Sequence, residues 1–119
     1  MARLTDEARV KRDLKQFFNT NGVWWYMPST HGMGRSGLAD FIALHNGKFW
    51  AIEAKGRTKD KTTGLQRLAL QQVYDAGGSV AVVDMDNYDD FIERFGETLK
   101  FPDSISHDLR REQDREMPE

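Results

Sequence analysis

The sequence predicts a single α/β domain in which a mixed β-sheet is flanked by helices, with the element order α-β-β-β-α-β-α. Three observations support this fold class. Apolar residues recur at helical spacing in three segments, β-branched and aromatic runs occupy four others, and Asn46-Gly47 joins two of these runs. A chain of 119 residues is long enough to form a hydrophobic core and too short for a second domain.

The first predicted element is a helix that begins after Thr5. Thr5 is a suitable N-cap, acidic residues follow it in the first turn, and apolar residues then recur at helical spacing as far as Phe18. Residues 19–22 end the helix. Glu7 falls on the apolar stripe, which leaves two interpretations open: its carboxylate stabilises the helix N-terminus, or it is a ligand of a nearby metal site.

Three β-rich runs follow this helix. They are Val23 to Met27, Ala39 to Leu44 and Lys48 to Ala54. Asn46-Gly47 is a strong hairpin signal, so the second and third runs should be antiparallel neighbours. This pairing brings Asp40, near the start of one strand, toward Glu53, near the end of the other.

The second half of the domain continues with a polar, mostly basic loop over residues 55–64. A helix over residues 65–76 follows and is closed by Gly77-Gly78. Residues 79–84 form a short, nearly all-apolar strand, which we expect to be buried on both faces. Residues 88–95 indicate a last short helix.

Charge is divided unevenly along the chain. The formal net charge is only -2, but residues 1–61 carry eleven Lys/Arg against six Asp/Glu, whereas residues 62–119 carry six against thirteen. Either the basic half presents a positive surface to a polyanion such as DNA, or the two halves mix in space. We assign residues 1–100 to one domain and residues 101–119 to a charged C-terminal tail.

Cysteine is absent, which excludes disulfides and thiolate metal sites and suits a reducing cytosol. The first residues lack the apolar core of a signal peptide, and no run reaches the ~18 apolar residues of a membrane helix. We therefore expect a soluble, cytoplasmic protein with no membrane partner.

The segment Gly32-Met33-Gly34-Arg35-Ser36-Gly37 matches the G-x-G-x-x-G pattern, but a dinucleotide site requires a helix after the motif and here a strand follows. The glycines instead fit a loop that approaches a phosphate backbone. Candidate phosphate contacts, in this loop and in the later basic loop, are His31, Arg35, Arg57, Lys59 and Lys61. For His31 and Arg35, the alternative is that they are solvated loop residues.

The strongest chemical signal is the set of charged residues at the ends of two neighbouring strands. Because strand side chains alternate, Glu53 and Lys55 share one face. Charges at the edge of a core cost free energy unless they are paired or bind a metal, although a surface Glu/Lys pair is a simpler interpretation. Asp40, Glu53 and the backbone carbonyl of Ala54 make an oxygen site suited to Mg²⁺ or Mn²⁺. The Lys55 ammonium can then position or activate a metal-bound water and neutralise charge that develops on a phosphate. Three scattered histidines do not suggest a zinc site.

In combination, these motifs resemble those of the PD-(D/E)XK nuclease superfamily. Within it, Gly37-Leu38-Ala39-Asp40, Glu53-Ala54-Lys55 and Gln66 followed by Gly77-Gly78 resemble the VRR-NUC family. The resemblance covers about residues 5–84. The valine-arginine-arginine tripeptide of some members does not occur here, so the catalytic pattern alone supports the assignment.

The resemblance implies that Glu7, Asp40, Glu53 and Lys55 form the metal and catalytic core, with Gln66 assisting near the reacting phosphate. It implies a Mg²⁺- or Mn²⁺-dependent endodeoxyribonuclease that hydrolyses phosphodiester bonds. Short chains of this kind resemble the stand-alone, often phage-encoded members, which are associated with homodimers that cut branched DNA such as four-way (Holliday) junctions. A restriction-type or RNA-directed nuclease and a catalytically idle DNA-binding module are the alternatives.

Paired aromatic residues offer a possible surface for such a homodimer. Trp24-Trp25, together with Phe49 and Trp50, can contribute to an interface between two copies, with packing in the core as the alternative.

Overall fold

The computed structural model describes residues 3–28 and 39–99, and its elements follow the predicted order. They are α1 (Asp6–Thr20), β1 (Trp24–Tyr26), β2 (Phe41–His45), β3 (Lys48–Ala54), α2 (Gly64–Asp75), β4 (Ser79–Val83) and α3 (Tyr88–Thr98). The described strands form one mixed sheet in the order β1-β2-β3-β4, in which β3 and β4 are parallel and the other neighbours are antiparallel. The predicted fold class is therefore confirmed. The glycine-rich loop with His31 and Arg35, and the tail over residues 101–119, lie outside the described residues.

Both long helices begin at threonine caps. Thr5 accepts a hydrogen bond from the N–H of Ala8 and starts α1, as the sequence predicts. Thr63 starts α2 through a capping box: its side chain accepts from the N–H of Gln66, and the Gln66 side chain accepts from the N–H of Thr63. The start of α2 is thus fixed by the same Gln66 that the sequence places in the candidate site.

The Asn46-Gly47 hairpin is confirmed. Both residues have positive φ, 51° and 76°, as a two-residue turn of the hairpin type requires. The register pairs Phe41 with Ile52, so Asp40 comes one residue before β2 rather than inside it. The reason is local. Asp40 Oδ2 accepts a hydrogen bond of 2.9 Å from the N–H of Ala54, so a side-chain oxygen takes the place of a backbone acceptor in the pairing of the two strands.

The main core lies between one face of the sheet and the helices α1 and α3. Its fully buried large side chains include Leu14, Phe18, Phe41, Ile52, Val83 and Phe95. A smaller cluster lies on the opposite face, where Leu70 and Val73 of α2 pack against Ala51 and its neighbours. The helix α2 therefore covers part of the face to which Glu53 belongs, chiefly over β3 and β4.

The prediction that β4 is buried on both faces is wrong. Among the described strands, β4 forms an edge of the sheet, and Val82 is 37% exposed whereas Val83 is fully buried. An all-apolar run signals burial, but it does not distinguish a central strand from an edge strand that a helix covers in part. Within residues 3–28 and 39–99, no helix is long and apolar enough to cross a membrane.

Candidate metal and catalytic site

Two carboxyl groups meet where β2 begins and β3 ends. Asp40 is held by the Ala54 N–H, and its side chain is 22% exposed, whereas Glu53 is only 1% exposed. Burial, and to a lesser extent the neighbouring Asp40 carboxyl, raises the pKa of Glu53 to about 8. Lys55 and Lys11 oppose this shift. Without a bound cation, Glu53 is therefore mostly protonated at neutral pH.

The two oxygens of Glu53 have unequal surroundings. Oε1 accepts a hydrogen bond of 3.0 Å from Gln66 Nε2, whereas Oε2 is buried and receives no hydrogen bond from any group in the described part of the chain. A buried oxygen of this kind costs free energy unless a proton or a cation satisfies it. A proton on Glu53 itself can satisfy it in the absence of metal, in keeping with the raised pKa of this carboxyl. A divalent cation can do the same, since Mg²⁺ and Mn²⁺ favour carboxylate oxygens.

Few carboxylates of the described residues lie close enough to each other to share a metal. Over residues 3–28 and 39–99, no three Asp, Glu or His side chains are grouped closely enough to hold a metal ion. Asp40 and Glu53 alone fit a Mg²⁺-type site, because this ion keeps several waters and uses one or two protein carboxylates. Ala54 contributes its N–H to Asp40, and its carbonyl stays a predicted ligand.

Gln66 connects the acidic and basic groups of the site. Its Oε1 accepts hydrogen bonds from Lys55 Nζ at 3.3 Å and from the Thr63 N–H at 2.9 Å, while its Nε2 donates to Glu53. The capping box fixes the backbone of the same residue. Gln66 thus orients both Glu53 and Lys55, and the structure brings these three predicted site residues together.

Glu7 reaches the site through a residue that sequence reasoning missed. Its Oε2 lies 3.3 Å from Lys11 Nζ, and the same ammonium lies 3.8 Å from Asp40 Oδ1. The Glu7 side chain is 44% exposed. Its role as a metal ligand stays a prediction, because the structure pairs it with Lys11 and not with a carboxylate cluster. The spacing of four between Glu7 and Lys11 was the available signal.

Arg57 holds the basic loop against two other parts of the chain. Its Nε donates to Asp6 Oδ2 at 3.0 Å and its Nη1 to Asp86 Oδ1 at 3.2 Å. Hydrogen bonding, first to Asp6 and then to Asp86, raises the pKa of its guanidinium. The neighbouring Thr58 donates to Asp84 and Asp86. Arg57 therefore joins α1 to the turn before α3, and this pairing competes with its predicted contact to DNA.

Replacement of Arg57 should consequently affect thermal stability, whereas replacement of the lysines of the same loop should affect DNA binding. Lys59 and Lys61 are exposed, so Lys59→Ala/Lys61→Ala should lower the salt dependence of DNA binding by a slope of about 0.9 per lost contact on duplex. Arg57→Gln should instead lower the thermal unfolding temperature, because the loop loses its connection to α1. Fluorescence anisotropy at several salt concentrations and circular dichroism melting measure the two effects. An unchanged salt slope in the double variant would place the DNA surface elsewhere.

The aromatic residues that were considered for an interface divide between the two faces of the sheet. Trp25 and Trp50 pack against the main core, so the core interpretation holds for them. Trp24 is 57% exposed and Phe49 41%. The register places these two on the face of α2, in one exposed aromatic patch that consists of Trp24, Tyr26, Leu44 and Phe49.

Comparison with known proteins identifies one relevant fold. No protein-family model matches the chain, and no curated protein matches it. A solved structure described as a VRR_NUC domain matches with a TM-score of 0.66 and 28% sequence identity, over 76% of this chain and 97% of that chain. The match extends over nearly the whole of the compared domain. This fold and the motifs at Asp40, Glu53 and Lys55 together support the resemblance of the chain to the VRR-NUC family.

Proposed function

We propose that this protein is a Mg²⁺- or Mn²⁺-dependent DNA endonuclease that hydrolyses phosphodiester bonds. The observation that supports it best is the buried Glu53 Oε2, which lacks a hydrogen-bond donor and lies in a carboxyl pair with Asp40. Structural similarity to a VRR_NUC domain supports a nuclease domain, for which DNA is the implied substrate.

Each site residue has a role that its contacts support. Asp40 and Glu53 would hold the cation, together with the Ala54 carbonyl, and their positions are fixed by the Ala54 N–H and by Gln66. A bound divalent cation would supply a Lewis acid that activates water and neutralises charge on the phosphate. Lys55, oriented by Gln66, would place its ammonium near the attacking water and the charge that develops on the phosphate.

A catalytically idle DNA-binding module is the alternative from a different class. Binding to DNA does not need a buried carboxyl pair, and ionised carboxylates repel phosphate unless a cation lies between them. The pair at Asp40 and Glu53 therefore favours catalysis. A restriction-type or RNA-directed nuclease would use the same residues, and the substrate decides between these enzymes.

The decisive experiment is a cleavage assay with a panel of labelled nucleic acids. Purified protein is incubated with Mg²⁺, Mn²⁺ or EDTA and with duplex, flap, splayed-arm, four-way-junction and single-stranded DNA, and with single-stranded RNA. We expect cleavage of DNA with either metal and none in EDTA. Cleavage of RNA alone would support the RNA-directed alternative. Binding without cleavage of any substrate would support the idle module.

We further propose that the enzyme acts as a homodimer on branched DNA, and the aromatic patch is our candidate interface. Exposed apolar surface on one sheet face is typical of protein interfaces. A two-fold dimer would also hold two active sites at a fixed separation, and four-way junctions present strands with matching symmetry. One small domain contacts too few phosphates to recognise the angle between duplex arms.

The dimer hypothesis predicts a particle of about twice 13.7 kDa in light scattering and faster cleavage of a four-way junction than of linear duplex. Trp24→Ser/Leu44→Ser should give a monomer and reduce the preference for the junction, since it makes the patch polar. Tyr74→Ser is the matched control, because Tyr74 is 64% exposed but lies on α2, outside the patch. A monomeric parent protein that cuts duplex and junction equally fast would refute the junction hypothesis and leave the nuclease assignment intact.

A further inference from the structure

We propose that Lys11 is an internal counter-cation of the metal site, which neutralises its carboxylates before a divalent cation binds and competes with that cation. This inference rests on the proposed metal-dependent function. Lys11 contacts carboxylates from two different elements: Glu7 on α1 at 3.3 Å and Asp40, just before β2, at 3.8 Å. Its side chain is only 28% exposed, so its ammonium is partly withdrawn from water.

The position of Lys11 distinguishes it from the predicted catalytic lysine. Lys55 donates to Gln66, on the α2 side of Glu53, whereas Lys11 approaches Asp40 from α1. The Lys11 ammonium is close to Asp40 Oδ1, because the other oxygen, Oδ2, is engaged with the Ala54 N–H. Since Oδ2 already accepts from the backbone, Oδ1 is the oxygen of Asp40 that would be left to a cation. Lys11 therefore lies where its charge opposes a divalent cation.

Removal of Lys11 has two opposing effects, and the contacts indicate which one is larger. Loss of the ammonium leaves Glu7 and Asp40 as like charges in the absence of metal. The two proposed ligands nevertheless keep their own supports, because Asp40 accepts from the Ala54 N–H and Glu53 from Gln66. The ligands should thus stay in place while a repulsive charge disappears, and a divalent cation should bind more tightly.

The test is calorimetric titration of the purified protein with Mn²⁺. Lys11→Met should bind Mn²⁺ about tenfold more tightly than the parent. A positive charge held rigidly beside the metal would have a larger effect, but the lysine side chain can turn toward solvent. Lys11→Arg keeps the charge and should bind as the parent does. Lys48→Met, at the exposed opposite end of β3, controls for the loss of a distant charge. Lys11→Gln is the second neutral variant if the methionine variant does not fold.

Melting in EDTA gives a second readout that does not depend on activity. Lys11→Met should melt at a lower temperature than the parent without metal, and the increase on adding Mn²⁺ should be larger. If the parent binds Mn²⁺ and neither neutral variant binds it more tightly, the role of Lys11 is refuted and the proposed metal site survives. If neither the parent nor the neutral variants bind Mn²⁺, the proposed metal site is refuted, and this inference with it.

Discussion

Asp40→Asn, Glu53→Gln and Lys55→Ala should each reduce metal-dependent DNA cleavage by about 10²-fold or more, the scale on which one electrostatic catalytic group contributes. The first two variants keep the size of the side chain and remove the negative charge that a divalent cation requires. Lys55→Ala removes the ammonium that Gln66 orients. None of the three removes much volume from the main core, so the fold should persist.

Single-turnover cleavage with saturating protein measures this loss, because it separates the chemical step from product release. Lys48→Met is a suitable control, because Lys48 is exposed and lies at the start of β3, whereas Glu53 and Ala54 lie at its end. Circular dichroism should show the same secondary structure in all variants. Parent-like cleavage by any one of the three site variants, with metal present, would contradict the site assignment.

The geometry of this site could be predicted because it depends on local rules. Asn46-Gly47 determines a two-residue hairpin, and the hairpin fixes which residues of β2 and β3 are opposite each other. The alternation of side chains then places Glu53 and Lys55 on one face. Proximity of Asp40 to Glu53 follows from these two steps, without knowledge of how the helices pack.

The remaining contacts depend on how α1 and β4 are placed, which no local pattern determines. Lys11 lies beside Asp40 only because α1 packs across the sheet, and its nearest sequence signal is the ordinary spacing to Glu7. Arg57 bonds to Asp6 and Asp86, which are 51 and 29 positions away. The sequence showed Arg57 as a free basic residue, because carboxylates so distant along the chain cannot be matched to it by spacing.

Glu53→Gln should also make the metal-free protein more stable than the parent at pH 8, although it abolishes cleavage. Burial raises the pKa of Glu53 from 4.5 to about 8 in the folded protein. Between these two pH values, the folded protein keeps the proton and the unfolded chain releases it. The unfolded state then binds fewer protons, so the free energy of unfolding falls as pH rises, by up to about 1.4 kcal/mol per pH unit.

Urea denaturation in EDTA at several pH values between 5 and 8.5 measures this dependence. The parent should lose stability across that window, whereas Glu53→Gln has no proton to release at this position and should lose much less. Gln66 can still donate to the amide oxygen of the new side chain, so the variant keeps the hydrogen bond that orients the residue. Mn²⁺ added to the parent at pH 8 should restore its stability, because a bound cation replaces the proton as the partner of the buried carboxylate. Parallel pH profiles for parent and variant would show that Glu53 ionises normally in the folded protein and that its burial does not prepare it for a metal.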